Sequence, residues 1–178
     1  LYQLHGGTID DPIDETIEAF EQLQQQGKIL FYGISSIRPN VIREYVHRSN
    51  IVSVMMQYSL LDRRAEETCL PLLLEHQVGI LARGTVAGGL LVNKPAKDYL
   101  AHALATVLRT NEAIHDISGE LKNTAGIAIR FALQQAGITA AIIGIRTPEQ
   151  LAEAIDAVDM PALTVKELLK LQEAAPAL

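Results

Sequence analysis

The side chains that could carry out chemistry in this sequence of 178 residues are scattered, and none of them belongs to a familiar short motif. There is no G-x-G-x-x-G, G-x-x-x-x-G-K-[ST], H-E-x-x-H or G-x-S-x-G, so the usual signatures of dinucleotide sites, P-loops, zinc proteases and hydrolases are missing. The histidines lack the spacing of metal ligands and lie at His5, His47, His76, His102 and His115. We therefore predict no metal site, and the main evidence becomes the position of polar residues relative to strands and helices.

Apolar runs without alternation are the strongest structural pattern in the chain. The run "KILFYGIS" over residues 28–35 is typical of a parallel strand covered on both faces, and "IVSVMMQYS", "VGILA" and "ITAAIIGI" have the same character. The predicted strands start near residues 1, 29, 51, 78 and 138, with helical patterns between them. This alternation predicts parallel pairing through right-handed crossovers, and hence an α/β fold.

The helical patterns carry start and stop signals. Asp11 is the predicted N-cap of the first helix, and Gly27 marks its end. Thr124 and Thr147 are predicted to cap two later helices, and the last helix is predicted to begin at Thr164. These helices would connect the strands and place the carboxyl ends of the strands at one edge of the sheet.

The repeat length bears on the architecture. A spacing of about 25 residues between strands is close to one unit of a (β/α)8 TIM barrel, which needs roughly 250 residues in total. Five predicted strands leave two options, an open α/β sheet or the larger part of a barrel whose first three units are absent. The opening "LYQLHGG" resembles the end of a buried strand, which favours the barrel. We expect residues 1–178 to be the C-terminal part of one barrel domain, supplying strands 4 to 8 and their helices.

Composition argues against several classes of partner. The net charge of -6 and the isoelectric point near 5.3 disfavour nucleic acid and anionic membranes, so any bound anion must be held by local groups. With a single cysteine, Cys69, the chain cannot form an internal disulfide. The sequence shows no export signal or long apolar run, and we expect a cytoplasmic protein.

Polar residues at the predicted strand ends are the candidates for function. In a TIM barrel the chemistry lies at the carboxyl ends of the strands and in the loops that follow them. The candidates at these ends are His5, Ser35 with Ser36, Gln57 with Tyr58, Arg83 with Gly84, and Arg146. By contrast, Arg63 and Arg64 are predicted to belong to a solvated, salt-bridged turn.

Five segments at these strand ends resemble one family in their order and spacing. They are "LYQLHG", "KILFYGISS", "VMMQYSLLDRR", "GILARGTVAGGLL" and "IIGIRTPEQLAEA". The chain is similar, over essentially its whole length, to the last five units of the aldo-keto reductases, which are NADPH-dependent (β/α)8 carbonyl reductases. The resemblance is nearest to the bacterial branch that contains general-stress and unassigned reductases.

The resemblance implies one catalytic residue in this chain. His5 matches the histidine of the family's catalytic tetrad, a neutral imidazole that orients the substrate carbonyl; a core histidine is the competing interpretation. The aspartate, tyrosine and lysine of the tetrad would lie before Leu1, so the chain alone is expected to be inactive. The resemblance also implies that Ser35 holds the nicotinamide carboxamide, whereas Ser36 stands where the family has asparagine.

The resemblance implies further cofactor contacts beyond the third predicted strand. Met55 occupies the place of the family's carboxamide-binding glutamine, and Gln57 lies two residues further on, where its side chain could face the same way. Arg83 occupies the place of the aromatic residue that stacks on the nicotinamide. Gly84 and Gly88 would let backbone N–H groups approach the pyrophosphate. The competing explanations are a solvated charge for Arg83 and plain loop flexibility for the glycines.

The last predicted strand leads into the best-matched cofactor segment, "GIRTPEQLAEA". Arg146 and Gln150 match positions that face the adenosine 2′-phosphate, and Arg146 implies a preference for NADPH. Glu153 matches the acid that contacts adenine, while Ala154 replaces the asparagine usual beside it.

The resulting hypothesis is an NADPH-dependent oxidoreductase that transfers a hydride between the nicotinamide and an aldehyde or ketone. Its partner would be a small carbonyl compound, and a truncated barrel should self-associate. Two alternatives stay open. One is a regulatory protein of the same fold that senses a nicotinamide nucleotide without turnover, and the other is an unrelated phosphate-binding barrel.

Overall fold

Strands and helices alternate through most of the chain. The computed structural model describes residues 1–177. Short 3-10 helices lie at Arg64–Glu66 and Ala87–Gly89. In chain order, the longer elements are β1 (Tyr2–His5), α1 (Ile13–Gln25), β2 (Tyr32–Ser35), α2 (Pro39–Arg48), β3 (Ser53–Gln57), α3 (Cys69–Glu75), β4 (Gly79–Arg83), α4 (Leu104–Ile117), α5 (Thr124–Leu133), β5 (Ile138–Ile142), α6 (Pro148–Asp159) and α7 (Val165–Ala174).

The five strands form one parallel sheet in chain order, β1-β2-β3-β4-β5. His5 at the end of β1 lies opposite Ser35 at the end of β2, and Ser35 lies opposite Met55 of β3. The predicted parallel α/β fold is confirmed. The strands are shorter than the apolar runs that predicted them, because Leu30 and Phe31 at the front of the second run are exposed and precede β2.

The chain divides into two compact units. Unit 1 comprises Leu1–Met56 and Ala65–Leu81, and unit 2 comprises Gln57–Arg64 and the residues from Ala82 onward. Each unit has its own buried apolar residues, so each is described by itself below.

The core of unit 1 lies where α1 covers the sheet. The ring of Phe20 on α1 stacks on Tyr32 of β2, with ring centroids 5.2 Å apart. The neighbouring Gly33 is required by close strand packing, because a Cβ atom there would overlap the carbonyl oxygen of Ser53 and lie 2.6 Å from its hydroxyl oxygen. Strands β2 and β3 are therefore held closer at this point than any larger residue permits.

The core of unit 2 is built around α5, most of which is buried. Phe131 of α5 stacks on Tyr58, with ring centroids 6.2 Å apart. On the same helix, the Arg130 guanidinium donates hydrogen bonds to the carbonyl oxygens of Val158 and Met160, the latter at 2.6 Å. These bonds satisfy carbonyl groups at the C-terminal end of α6 and fix that helix against α5.

The predicted cap at Thr147 is confirmed, and Thr164, the predicted start of the last helix, is its N-cap. The hydroxyl of Thr147 accepts the backbone N–H of Gln150 at the start of α6, at 3.3 Å. Thr164 and Glu167 form a reciprocal capping box at the start of α7, since the backbone N–H of each is accepted by the side chain of the other. The Lys122 ammonium group, 2.6 Å from the Glu167 carboxylate, holds the pKa of that carboxyl below its usual value.

Two other predicted caps are wrong by one residue. The N-cap of α5 is Asn123, whose side-chain oxygen accepts a first-turn N–H at 2.6 Å, and Thr124 is the first helical residue. At the start of α1 the N-cap position is Pro12, which has no capping side chain. Asp11 instead accepts the backbone N–H of Thr8 at 2.6 Å, because the chain is still turning at that point.

Neither a membrane-crossing helix nor a metal-binding cluster is found in residues 1–177. No helix in that range has both the length and the apolar character needed to cross a bilayer. No group of three or more His, Cys, Asp or Glu side chains there is arranged to hold a metal ion.

Cys69 lies buried as a free thiol at the start of α3, and its burial raises the pKa of the thiol.

Candidate functional site

The strand ends of unit 1 bring His5 and Ser35 together. These residues are partners in the register of β1 and β2, and the backbone N–H of Gly6 donates to the Ser35 carbonyl oxygen at 2.9 Å. The His5 side chain is exposed in this chain, at the end of the edge strand β1. An exposed imidazole and a half-buried hydroxyl at adjacent parallel strand ends can both donate and accept hydrogen bonds.

The hydroxyl group of Ser36 forms a hydrogen bond with the backbone. Its hydroxyl is buried and accepts the N–H of Arg38 at 3.2 Å, while its own backbone N–H donates to the Met55 carbonyl oxygen at 3.0 Å. The serine therefore shapes the turn that leads into α2, a role that a small hydroxyl side chain commonly has.

In unit 2, the ends of β3 and β4 carry a chain of hydrogen bonds between side chains. Arg83 donates to the amide oxygen of Gln57 at 3.2 Å, and the amide nitrogen of Gln57 donates to the phenol oxygen of Tyr99 at 2.8 Å. The backbone N–H of Tyr58 donates to the Arg83 carbonyl oxygen at 3.1 Å. A side-chain hydrogen bond thus links Gln57 and Arg83, which lie at neighbouring strand ends. The contact of Gln57 with Tyr99 was not predicted from the sequence.

The turn after β3 is held by an ion pair. Arg64 binds Asp62 through two nitrogen atoms, at 2.8 and 2.9 Å, and the Asp62 carboxylate is buried. The prediction that Arg64 belongs to a salt-bridged turn is confirmed. Burial, and after it the Asp62 charge, raises the pKa of Tyr99, so its phenol stays protonated at neutral pH.

The loop after β4 turns sharply at its glycines. Gly84 has a φ of 72° and Gly88 a φ of 65°, in the left-handed region that favours glycine. A Cβ atom at Gly88 would meet no heavy atom within 4 Å, so the loop there leaves the backbone open to an approaching group. A backbone exposed in this way can present N–H groups to an anion.

A cavity of about 460 Å³ lies within unit 2 and gathers five of the predicted site residues. Its wall is formed by the glycine loop, α5, the end of β5 and the first turns of α6. The predicted residues on it are Gly84, Gly88, Arg146, Gln150 and Glu153. Gln57 and Arg83 are not on this wall, but the side chain of Gln57 lies beside Gly84, where an added Cβ atom would be 3.4 Å from its Cγ.

The amino end of α6 forms one side of the cavity. The side-chain oxygen of Gln150 accepts the backbone N–H of Arg146 at 2.9 Å, which fixes the backbone from which the arginine side chain leaves. The pKa of Glu149, in the first turn, is lowered by its own backbone N–H and then by Thr147. This amino end therefore favours negative charge, as helix N-termini do.

The cavity also contains a cation that the sequence reasoning missed. Lys94 lies on the wall, and its ammonium group donates to the Gly88 carbonyl oxygen at 2.6 Å. A Cβ atom at Gly89 would meet the Lys94 stem at 3.1 Å, so this side chain folds back over the glycine loop. The available signal was a lysine five residues after paired glycines, and that signal alone does not identify a site.

These features describe a parallel α/β protein with polar groups at its strand ends, and comparison with known proteins identifies the family. The model of the Aldo/keto reductase family matches residues 1–176, and the chain therefore belongs to that family. Membership removes the alternative of an unrelated phosphate-binding barrel.

Individual relatives agree with this assignment. An uncharacterized oxidoreductase of Bacillus subtilis, YqkF, is 49% identical over 181 residues, which cover 97% of this chain and 58% of that protein. The NADH-specific methylglyoxal reductase of Escherichia coli is 26% identical, covering 90% of this chain and 54% of that protein. The holo form of aldo-keto reductase AKR11C1 from Bacillus halodurans superimposes with a TM-score of 0.89 at 45% identity, covering 99% of this chain and 59% of that one. The chain thus spans less than two thirds of the length of these relatives.

Proposed function

We propose that this chain is the C-terminal part of an NADPH-dependent aldo-keto reductase and supplies strands 4 to 8 of a single (β/α)8 barrel domain. The complete enzyme transfers a hydride between the nicotinamide and an aldehyde or ketone. The parallel sheet, the family membership and the partial coverage of longer relatives support this proposal.

An exposed apolar face supports the barrel. Leu151, Ile155 and Val158 lie on one side of α6 and are 46%, 55% and 65% exposed. We call these three residues the α6 stripe. Their spacing is that of a helix face which is normally buried against a neighbouring element. In the proposed enzyme the remaining units of the barrel cover the α6 stripe.

The cavity of unit 2 is the observation that carries the proposal. Its residues fit a phosphorylated nucleotide, because it combines the open backbone at Gly88 with two cations, Lys94 and Arg146, and the amino end of a helix. We assign the pyrophosphate to the glycine loop with Lys94, and the 2′-phosphate to Arg146 with Gln150. Glu153 is assigned to the adenine, whose amino group can donate to a carboxylate.

The nicotinamide end is assigned to the strand ends. Gln57 of unit 2 has the hydrogen-bonding groups that a carboxamide requires. Arg83 is assigned to the ring face, on which a planar guanidinium can stack. The bound cofactor supplies the hydride.

His5 is assigned to the substrate carbonyl, which it orients by a hydrogen bond. As the hydride arrives at carbon, negative charge develops on the carbonyl oxygen, and an N–H donor positioned there stabilises that charge. Proton donation is assigned to a tyrosine outside this chain, and the chain by itself is therefore proposed to be inactive.

The test is made on the complete protein that contains this chain. We expect it to bind NADPH and to oxidise it with model aldehydes, and we expect His5→Ala to lower kcat by about 10²-fold without changing the affinity for NADPH. His115→Ala is the matched control, because that histidine is exposed on α4 and has no assigned role. Failure of the complete protein to bind NADPH would refute the proposal. Unchanged turnover in His5→Ala, with a lower free energy of unfolding, would show that His5 is structural.

A further inference from the structure

The chain of hydrogen bonds from Arg83 through Gln57 to Tyr99 has a fixed direction. A guanidinium group has no acceptor, so the Gln57 atom that faces Arg83 must be the amide oxygen. The amide nitrogen then faces Tyr99 and donates to its phenol oxygen. Each member of the chain thereby restricts the orientation of the next.

The two ends of this chain differ in how far they are buried and held by neighbouring groups. Arg83 is exposed at the end of β4. Tyr99 is partly buried and belongs to a tight turn in which it exchanges two backbone hydrogen bonds with His102, at 2.9 and 3.0 Å. His102 is itself buried. Tyr99 is therefore the fixed end of the chain and the Arg83 guanidinium is the end that it restrains.

We propose that Tyr99 is a positioning residue, which sets the amide of Gln57 and through it the plane of the Arg83 guanidinium that receives the nicotinamide ring. This inference rests on the proposed function, since it requires a nicotinamide at Arg83. A free arginine side chain loses much rotamer freedom when it stacks on a ring, and an arginine that is already held loses less. The effect of Tyr99 is therefore expected at the nicotinamide end of the cofactor only.

The experiment compares two ligands on the complete protein. NADPH probes both ends of the cofactor, whereas 2′-phospho-ADP-ribose keeps the pyrophosphate and the adenosine 2′-phosphate and lacks only the nicotinamide ring. We expect Tyr99→Phe to raise the Kd for NADPH by about threefold to tenfold, the usual effect of one hydrogen bond. The Kd for 2′-phospho-ADP-ribose should stay within about twofold. Arg83→Ala should show the same pattern, and the Tyr99→Phe/Arg83→Ala double variant should be no weaker than Arg83→Ala alone, because both act through one chain.

Controls separate positioning from folding. Tyr45→Phe removes another buried phenol, in unit 1, and should leave both Kd values unchanged. If Tyr99→Phe does not fold, Tyr99→Met also removes the phenol oxygen while keeping a flexible apolar side chain, and it should reproduce the selective loss of NADPH affinity.

Three results would overturn the inference. They are an unchanged Kd for NADPH in Tyr99→Phe, an equal loss for both ligands, and losses in the double variant that multiply. A wild-type protein that binds neither ligand would refute the proposed function itself, and that failure is seen before any variant is made.

Discussion

Replacing Arg146 by alanine should change the choice between NADPH and NADH. Arg146 lies on the cavity wall of unit 2, exposed, with its backbone held by Gln150. A hydrogen bond between a guanidinium and a phosphate contributes about 1.5–3 kcal/mol. Because the site is open to solvent, the lower end of that range applies. We therefore expect Arg146→Ala to raise the Kd for NADPH about tenfold and to leave the Kd for NADH, which has no 2′-phosphate, nearly unchanged.

The assay is a titration of the complete protein, followed by the fluorescence of the reduced nicotinamide or by calorimetry. This chain contains no tryptophan, so the cofactor is the better reporter for its part of the protein. Arg43→Ala is the control, since Arg43 is exposed on α2 in unit 1 and its loss changes the net charge by the same amount. Equal losses for NADPH and NADH in Arg146→Ala, or an equal effect of Arg43→Ala, would refute the assignment of the 2′-phosphate.

Three further predictions concern stability and association. Gly33→Ala should lower the free energy of unfolding by about 3 kcal/mol, because its Cβ atom would overlap the Ser53 carbonyl oxygen. Glu167→Gln should lower stability at neutral pH by about 1 kcal/mol, because glutamine can keep the capping box with Thr164 but loses the ion pair with Lys122. Since the pKa of Glu167 is lowered in the folded state, its contribution is present above the ordinary glutamate range and is lost as the pH falls through the lowered pKa. The isolated chain should self-associate in sedimentation experiments, because the α6 stripe is exposed.

Each of these predictions has a control or a contradicting result. Gly119→Ala should be nearly neutral in denaturant unfolding, since a Cβ atom there meets nothing within 4 Å. Asp116→Asn, which breaks an exposed pair with Lys170, should cost less than Glu167→Gln, and a cost of Glu167→Gln that is equal at all pH values would contradict the role of the ion pair with Lys122. A cooperative, monomeric fold of the isolated chain would contradict the barrel and favour an open sheet.

Local patterns predicted the fold because each strand and helix carries its own signal. The parallel sheet followed from apolar runs, and the end of α1 followed from Gly27, which has a φ of 69° two residues after the helix. The N-cap of α5 was missed because Asn123 and Thr124 are adjacent and both are good caps. Only the backbone angles decide which of the two is the first helical residue, and these angles depend on the packing of α5.

Part of the candidate site could also be predicted, because the ends of strands carry local signals in the sequence. Strand ends can be read from the sequence, so Gly84, Arg146 and Gln150 were expected near one another, and the cavity of unit 2 does contain all three. The contact of Gln57 with Tyr99 joins residues 42 positions apart. This contact depends on the path of a loop whose sequence has no repeating pattern. The contact of Lys94 with the glycine loop depends on the same path, so neither contact could have been predicted from the sequence.

The charge of the chain bears on how an anionic cofactor would be selected. With a net charge of -6, the average field of the chain opposes the approach of a nucleotide phosphate. Attraction must then come from groups within a few ångströms, because salt screens charges at longer range. In unit 2 these groups are Lys94, Arg146 and the amino end of α6, and Glu153 on the same wall leaves only part of the cavity suited to phosphate. We therefore assign the discrimination between NADPH and NADH to Arg146. For the same reason, removing the charge of Arg43 in unit 1 should leave that discrimination unchanged.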